Sequence, residues 1–309
     1  SAPRLVGSAM ARAADGRVVG SVTGGCVESD LIVQAEDVLS GGPPRLLTYG
    51  IDDPDAFAVG LPCGGDVEVF VEPLDSALVI ELAAEVRGER PVAYVTGISG
   101  ALLGRRAVVR QAGPPRGEFD SAVRTLLALG ESGVVALLEG DALVVTLAPR
   151  PALYIFGAID FASALARVGA FLGYRVTVCD PRTGFLTPER FPGVDELVAE
   201  WPHEFLASAP VDPRTAICVL THDDRFDVPA LRAALATDAG YVGAVGSRRT
   251  TARRGERLIA DGLAVGDLER IHAAIGRPIR WRTPDEVAVS FGAEIVRTMR
   301  VAAESGVPV

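Results

Sequence analysis

From Pro151 onward the sequence alternates short buried strands with amphipathic helices, and this alternation restricts the fold more than any other feature. Four strands are predicted, over residues 152–156, 175–179, 215–220 and 241–245. The first, third and fourth of these strands are each followed by a helical pattern. Buried strands that alternate with helices form a parallel, doubly wound sheet. We therefore predict an α/β protein with a Rossmann-like C-terminal domain over residues 151–309.

The last long helix of this domain has an explicit start signal. Thr283 can cap the helix, Pro284 suits its first turn, and Glu286 completes a capping box with Thr283. The sequence therefore predicts a helix that begins next to Thr283.

The first half of the chain mixes shorter elements with glycine-rich turns. Apolar residues at helical spacing predict a helix over residues 26–39, and strict alternation over residues 67–71 predicts a half-buried strand. We therefore predict a mixed α+β module over residues 1–88.

Residues 89–150 form a middle region that is a candidate degenerate repeat of the first module. The separations of Gly7, Gly16 and Gly20 recur at three later glycines, which are Gly104, Gly113 and Gly117. The later copy has Val123 where the first has Cys26, so a true repeat would have kept the shape and lost the thiol. The alternative is coincidence, because the chain contains 34 glycines.

Two cysteines lie beside paired glycines, in the segments Gly24-Gly25-Cys26-Val27-Glu28 and Pro62-Cys63-Gly64-Gly65. Glycine allows positive φ and a close approach of a ligand to the backbone, so the pattern favours a site for a soft atom, a reactive sulfur or a planar ligand. The helix dipole at the predicted helix start also favours a thiolate at Cys26. Glu28 belongs either to this site or to the first helical turn as a stabilising acid. The alternative interpretation is two tight turns with incidental cysteines.

The other two cysteines, Cys179 and Cys218, lie in apolar runs and are predicted to be inert core thiols. No CxxC pair is present, which disfavours a zinc ribbon or a thioredoxin-type motif. This use of cysteine suits a reducing cytosol better than a disulfide framework. We therefore predict a cytoplasmic protein.

Net charge and the length of the apolar runs disfavour a nucleic acid and a membrane as partners. The formal net charge of −10 disfavours a nucleic-acid surface, which needs clustered lysine and arginine. One local exception is a small basic patch of Arg248, Arg249, Arg253 and Arg254, which could hold one anionic ligand but is too small to bind a duplex. No apolar run is long enough to span a bilayer.

Two turns at predicted strand ends carry candidate binding residues. Gly246, Ser247 and Arg248 follow a strand and open a helix, where backbone N–H groups and a guanidinium can bind an anion. The alternative is a solvated basic helix start.

His222 can accept a proton or ligate a metal, with Asp223, Asp224 and Asp227 nearby. The alternative there is a hydrated turn whose acids cap a helix that begins near Val228. Three histidines in the whole chain make a metal site the less favoured interpretation.

The dinucleotide-binding fingerprint expected after the first strand is damaged. The sequence reads Gly157-Ala158-Ile159-Asp160, and an isoleucine side chain stands where a second glycine would let the backbone approach a pyrophosphate. Asp180 nevertheless ends the second strand, about where a ribose-binding acid belongs. An NAD(P)-dependent oxidoreductase is therefore an alternative rather than the leading hypothesis.

Taken together, these segments resemble the XdhC-type accessory family, the maturation factors of xanthine dehydrogenase and other molybdenum hydroxylases. The similar segments are Ser1-Ala2-Pro3-Arg4, residues 16–28 with GGCVE, Pro62-Cys63-Gly64-Gly65, Thr221-His222-Asp223, residues 241–249 and residues 283–294. Because Ser1 falls inside a family motif, we expect a strand and a helix upstream of it.

The resemblance implies a non-catalytic chaperone that binds the molybdenum cofactor, protects it while its sulfido ligand is installed, and delivers it to a molybdenum hydroxylase client. It also implies a homodimer and contact with a cysteine desulfurase. The Cys26 and Cys63 loops would supply thiols as molybdenum or sulfur contacts, because thiolate suits a sulfur-rich metal centre. The edge with Gly246, Ser247 and Arg248 would receive the anionic part of the pterin.

The chain departs from the family pattern at two places. A glycine-rich GAGH is replaced by Gly157-Ala158-Ile159-Asp160, and the IHxPIGLDIGA stretch is replaced by residues 271–281. These changes alter the expected pocket, so a scaffold that keeps the fold but has lost its ligand is a further alternative.

Overall fold

The computed structural model of the protein describes residues 4–50, 66–111 and 120–305. These residues belong to two compact units, Ser1–Pro149 and Arg150–Val309, named here the N-terminal unit and the Rossmann unit. None of the described helices is long and apolar enough to cross a membrane.

The first part of the N-terminal unit is built from two antiparallel strand pairs and one helix. Its elements are β1 (Met10–Arg12), β2 (Val18–Gly20), α1 (Glu28–Leu39), β3 (Arg45–Tyr49) and β4 (Val67–Val71). β1 pairs with β2, and β3 pairs with β4. The buried side chains of Val27, Leu31, Tyr49, Val67 and Val69 form the core between α1 and the β3–β4 pair. The strand predicted over residues 67–71 is confirmed, whereas α1 begins two residues later than its periodicity predicts.

The second part of the N-terminal unit is an antiparallel sheet with two helices. Its elements are α2 (Ser76–Arg87), β5 (Val92–Gly97), β6 (Arg106–Arg110), α3 (Asp120–Leu129), β7 (Gly133–Leu137) and β8 (Gly140–Leu147). The strand order is β6-β5-β8-β7. Gly113 and Gly117 lie outside the described residues, so the internal repeat stays a prediction.

The Rossmann unit contains a six-stranded parallel sheet with the order β11-β10-β9-β12-β13-β14. Its strands are β9 (Ala152–Phe156), β10 (Arg175–Cys179), β11 (Glu196–Val198), β12 (Ala216–Val219), β13 (Tyr241–Ala244) and β14 (Ile271–Ala273). The chain leaves β9 in one direction and later returns to its other side at β12. The doubly wound parallel sheet is therefore confirmed, with its change of direction between β9 and β12.

Helices cover both faces of this sheet, and each face has its own apolar core. They are α4 (Asp160–Phe171), α5 (Pro202–Leu206), α6 (Asp224–Leu235), α7 (Arg248–Ala260) and α8 (Pro284–Ser305). The capping box of α8 is confirmed, since Thr283 N–H donates to Glu286 Oε2 (3.2 Å) and Glu286 N–H donates to Thr283 Oγ1 (3.3 Å).

Candidate functional site

The Gly24-Gly25-Cys26 segment lies in a loop that folds around one carboxylate, that of Glu28. The donors to its two oxygens are the hydroxyls of Ser21 (2.6 Å) and Thr23 (2.7 Å) and the N–H groups of Val22 (3.1 Å), Thr23 (2.8 Å), Gly24 (2.9 Å), Gly25 (2.8 Å) and Val27 (3.2 Å). Burial raises the pKa of Glu28, but the hydrogen bonds from Ser21 and Thr23 outweigh it and hold the pKa well below its ordinary value. The loop is therefore built on this carboxylate.

The thiol of Cys26 is half-buried on this loop. The backbone N–H of Cys26 donates to Thr23 Oγ1 (3.1 Å), and the Cys26 side chain packs against the core between α1 and the β3–β4 pair. Gly24 and Gly25 are exposed with φ of +92° and +127°, and a Cβ at either would meet no atom within 4 Å. A ligand therefore has open access to the backbone next to the thiol. The two glycine N–H groups, however, already donate to Glu28.

Cys63, Gly64 and Gly65 lie outside the described residues. Their part in the predicted thiol site therefore stays a prediction.

The loop after β9, the first strand of the Rossmann unit, lies very close to the loop after β12. Gly157 has a φ of +107°, and a Cβ there would lie 2.5 Å from Thr221 Cγ2. The N–H of Ala158 donates to Asp180 Oδ2 (2.7 Å). Gly157, Asp180 and Thr221 thus lie together at the carboxyl ends of β9, β10 and β12, the edge at which doubly wound sheets bind ligands.

Asp180 is fully engaged within the protein. Besides the Ala158 N–H, its oxygens accept the Arg182 N–H (2.9 Å), Arg182 Nε (2.9 Å) and Arg182 Nη2 (2.6 Å). Burial raises the pKa of Asp180, but the bonds from Arg182 and Ala158 lower it overall. Each carboxylate oxygen therefore has two donors already, which leaves little capacity for the ribose hydroxyl that a nicotinamide dinucleotide would present.

His222 and the acids beside it occupy different environments. His222 is exposed, whereas Asp223 caps α6 by accepting the Arg225 N–H (3.0 Å). Asp224 forms ion pairs with Arg253 (3.1 Å) and Arg257 (2.7 Å). Across residues 4–50, 66–111 and 120–305, no group of histidine, cysteine, aspartate and glutamate side chains is arranged to hold a metal ion.

A buried ion pair joins α6 to α7, the helices that follow β12 and β13. Arg254 and Asp227 have side chains only 3 % and 0 % exposed and contact each other directly. Arg254 also donates to the backbone oxygens of Val245 (2.5 Å) and Thr221 (3.1 Å), and the Thr221 hydroxyl donates to Asp227. This network, which sequence reasoning missed, fixes the backbone before both His222 and Gly246. The sequence feature that could have indicated this network is the position of Arg254, which lies one helical turn before the fully buried Leu258 and therefore on the same face of α7.

The predicted anion site at the start of α7 combines a half-buried Gly246 with exposed Ser247 and Arg248. The Ser247 hydroxyl caps the helix by accepting the Thr250 N–H (3.2 Å), and Gly246 has a φ of +157°. Arg248 and Arg249 are exposed. Because Arg254 is buried and Arg253 pairs with Asp224, the basic patch available to an anion is smaller than the sequence indicates. The helix N-terminus, Ser247 and two guanidinium groups still suit a phosphate.

The remaining thiols are core residues, as predicted. Cys179 and Cys218 are fully buried. Burial raises the pKa of Cys179 to about 12 and raises the pKa of Cys218 further. Neither thiol is therefore a nucleophile at neutral pH.

Similar proteins combine the two units in one chain. A family profile described as the XdhC Rossmann domain matches residues 153–295, and one described as the XdhC and CoxI family matches residues 1–50. A probable xanthine dehydrogenase subunit of Bacillus subtilis (strain 168) is 25% identical over 309 residues, covering 97% of this chain and 90% of that protein. The molybdenum cofactor insertion chaperone PaoD of Escherichia coli (strain K12) is 29% identical over 295 residues, covering 95% of this chain and 78% of that protein.

A solved structure shares the fold. The crystal structure of a protein described as a xanthine dehydrogenase from Bacillus halodurans superposes with a TM-score of 0.71 at 24% identity. The superposition covers 100% of this chain and 90% of that chain. With the two profile matches and the relatives of similar length, these findings establish that the chain belongs to the XdhC family of xanthine dehydrogenase accessory proteins.

Proposed function

We propose that the protein is a maturation chaperone that binds the molybdenum cofactor, protects it in its sulfurated form, and delivers it to a xanthine dehydrogenase-like molybdenum hydroxylase. The observation that carries the proposal is the similarity, over 95% of the chain, to a molybdenum cofactor insertion chaperone. The role is that of a carrier rather than an enzyme. By family resemblance, the proposal includes a homodimer and contact with a cysteine desulfurase.

The chemistry of the available side chains fits such a ligand in each unit considered by itself. In the N-terminal unit, the half-buried Cys26 offers a soft sulfur beside the open backbone of Gly24 and Gly25. When bound, the cofactor would supply a molybdenum centre with sulfur ligands and an anionic phosphate. Glu28 acts indirectly, because its carboxylate holds the loop that presents the thiol.

In the Rossmann unit, the anionic part of the cofactor would meet the N-terminus of α7. Gly246 and the exposed Ser247 precede the first turn of the helix, and the exposed Arg248 adds a guanidinium that can bind phosphate through two N–H groups. Gly157 and His222 stand at the same edge of the sheet and complete the proposed contacts there. Asp180 contributes by fixing the Gly157–Ala158 turn. Cys63, Gly64 and Gly65 are proposed as the second thiol loop.

Direct measurement of cofactor binding tests the proposal. The purified chain is incubated with molybdenum cofactor, separated from free cofactor, and assayed for molybdenum and for pterin. We expect close to one cofactor per chain, and about tenfold weaker binding in Cys26→Ala or Cys63→Ala. Cys218→Ala is the matched control, because it removes a thiol that is sealed in the core.

Two outcomes would contradict the proposal in different ways. Unchanged binding in both Cys26→Ala and Cys63→Ala would overturn the thiol assignment while leaving the chaperone role. Co-elution with a hydroxylase in the absence of any cofactor binding would overturn the carrier role and favour an interaction scaffold.

A further inference from the structure

Aromatic rings and a guanidinium form a continuous cluster in the Rossmann unit. The rings of Trp201 and Phe226 have centroids 4.6 Å apart and are inclined by 33°. The guanidinium carbon of Arg182 lies 5.7 Å from the Phe226 centroid and 5.0 Å from the Phe185 centroid. Both distances suit cation–π contact. These four side chains, Trp201, Phe226, Arg182 and Phe185, are named here the Arg182 platform.

The Arg182 platform lies at the carboxyl edge of the parallel sheet. Arg182 and Phe185 follow β10, Trp201 follows β11, and Phe226 is in the first turn of α6 after β12. Residues far apart in sequence are thus brought together where three parallel strands end. In doubly wound sheets this edge is where ligands bind.

The platform is open to solvent. Trp201 is 38 % exposed, Phe185 is 47 % exposed, and the Arg182 side chain is 46 % exposed. Single exposed apolar residues are common on proteins, but rings stacked with a guanidinium at a ligand-binding edge are a specific arrangement.

Arg182 also keeps unused hydrogen-bond donors. Its Nε and Nη2 donate to the buried carboxylate of Asp180, which holds the guanidinium in place. A guanidinium has five N–H groups, and two of those of Arg182 donate to Asp180. The other three, two on Nη1 and one on Nη2, have no acceptor within the parts of the chain that the structure describes. The nearby acid Asp223 is hydrogen-bonded to Arg225 (2.6 Å) rather than to Arg182. The platform therefore combines flat apolar faces with free, positively charged donors.

We propose that the Arg182 platform binds the planar heterocycle of a phosphate-bearing ligand, a pterin or a nucleotide. The heterocycle stacks on the exposed parts of Trp201 or Phe185, and the phosphate accepts hydrogen bonds from the free N–H groups of Arg182. The Phe185 ring also lies against the guanidinium of Arg190 (5.4 Å). The pterin source rests on the proposed function and would place the phosphate of the cofactor at Arg182 in place of Arg248, whereas the platform's affinity for a phosphorylated heterocycle does not rest on it.

Fluorine NMR of the full chain labelled with 5-fluorotryptophan tests this proposal. The chain has two tryptophans, so Trp201 and Trp281 give two signals, which Trp281→Phe assigns. The ligands added are neopterin monophosphate, GMP and inorganic phosphate. We expect the first, the second or both to shift the Trp201 signal at millimolar concentration, while Trp281 stays unchanged and serves as an internal reference.

Variants separate stacking from charge. Phe185→Ala removes an exposed ring that belongs to neither core of the Rossmann unit, so we expect it to fold. We expect it to weaken the response of Trp201 about tenfold. Arg182→Gln should weaken it by a similar factor for phosphorylated ligands only. Arg167→Gln is the control, because it removes an exposed guanidinium whose partners are Asp285 and Ser163 rather than a platform side chain.

The outcomes keep this proposal and the chaperone role apart. No shift of Trp201 with either heterocycle, or an equal shift with inorganic phosphate alone, overturns the stacking site. If cofactor loads normally and Phe185→Ala loads it equally well, the platform is not the pterin site. If the Trp201 signal responds but no cofactor loads, the platform stands and the chaperone role falls.

Discussion

Thr23 and Glu28 are joined by two hydrogen bonds, one from the Thr23 N–H to Oε1 (2.8 Å) and one from the Thr23 hydroxyl to Oε2 (2.7 Å). Both oxygens of the carboxylate thus face donors from a single residue. Five further donors from the same loop surround them. The loop that carries Cys26 is therefore held from inside by one charged side chain.

Replacing this carboxylate with an amide should loosen the loop. In Glu28→Gln, an NH2 group faces several N–H and O–H donors, so at least one oxygen site loses its hydrogen bonds. We expect the free energy of unfolding of the N-terminal unit to fall by about 2 kcal/mol, measured by urea denaturation. Glu68→Gln is the matched control, since Glu68 is exposed on β4. Equal effects of the two substitutions would contradict the role given to Glu28.

The same carboxylate should make stability depend on acid pH. Because the folded protein holds the pKa of Glu28 below its unfolded value of 4.5, the unfolded state binds more protons when the pH falls below that value. The contribution of Glu28 is therefore complete above about pH 5.5 and is lost progressively below about pH 4.5. Urea denaturation at several pH values should show a smaller acid-induced loss in Glu28→Gln than in the unsubstituted chain. Parallel pH profiles would contradict the prediction.

Asp227→Asn should destabilise the Rossmann unit strongly. The substitution keeps the size of the side chain but leaves the charge of the buried Arg254 without its partner. Breaking a buried pair in this way costs about 3–5 kcal/mol. Asp285→Asn is the control, because its pair with Arg167 is exposed and its loss costs less than about 1 kcal/mol. The measurement is the free energy of unfolding, and similar values for the two variants would contradict the prediction.

Elements with local signals could be predicted from the sequence. Strands β9 and β10 lie at the predicted residues, because each is a short apolar run bounded by turn residues. The start of α8 was also predictable, since Thr283 and Glu286 satisfy each other across one helical turn.

Features that depend on distant residues could not be predicted in the same way. The sequence left Glu28 as either a site residue or a first-turn acid, because nothing in its spacing shows that the loop before it curls back onto the carboxylate. Arg254 was counted in a basic patch, whereas the phase of α7 turns it toward the sheet. The Arg182 platform could not be predicted from the sequence, because Trp201 and Phe226 are brought together only by the order of the parallel strands.

Gly157→Ala should test the close approach between the loops after β9 and β12. The substitution meets two penalties, a positive φ of +107° and a Cβ that would lie 2.5 Å from Thr221 Cγ2. Gly173→Ala meets only the first, because Gly173 has a φ of +88° and no atom within 4 Å of the added Cβ. We expect Gly173→Ala to cost about 1 kcal/mol, and Gly157→Ala to cost about 1–3 kcal/mol more.

A second substitution isolates the steric part of the Gly157→Ala cost. Thr221→Ser removes the methyl group that the new Cβ would meet and keeps the hydroxyl that donates to Asp227. The double variant Gly157→Ala/Thr221→Ser should therefore be more stable than the sum of the two single losses predicts, by about 1 kcal/mol. The same cycle with Gly173→Ala should be additive, because that residue has no contact with Thr221. Additive losses in both cycles would show that the two loops do not approach as closely as the structure places them.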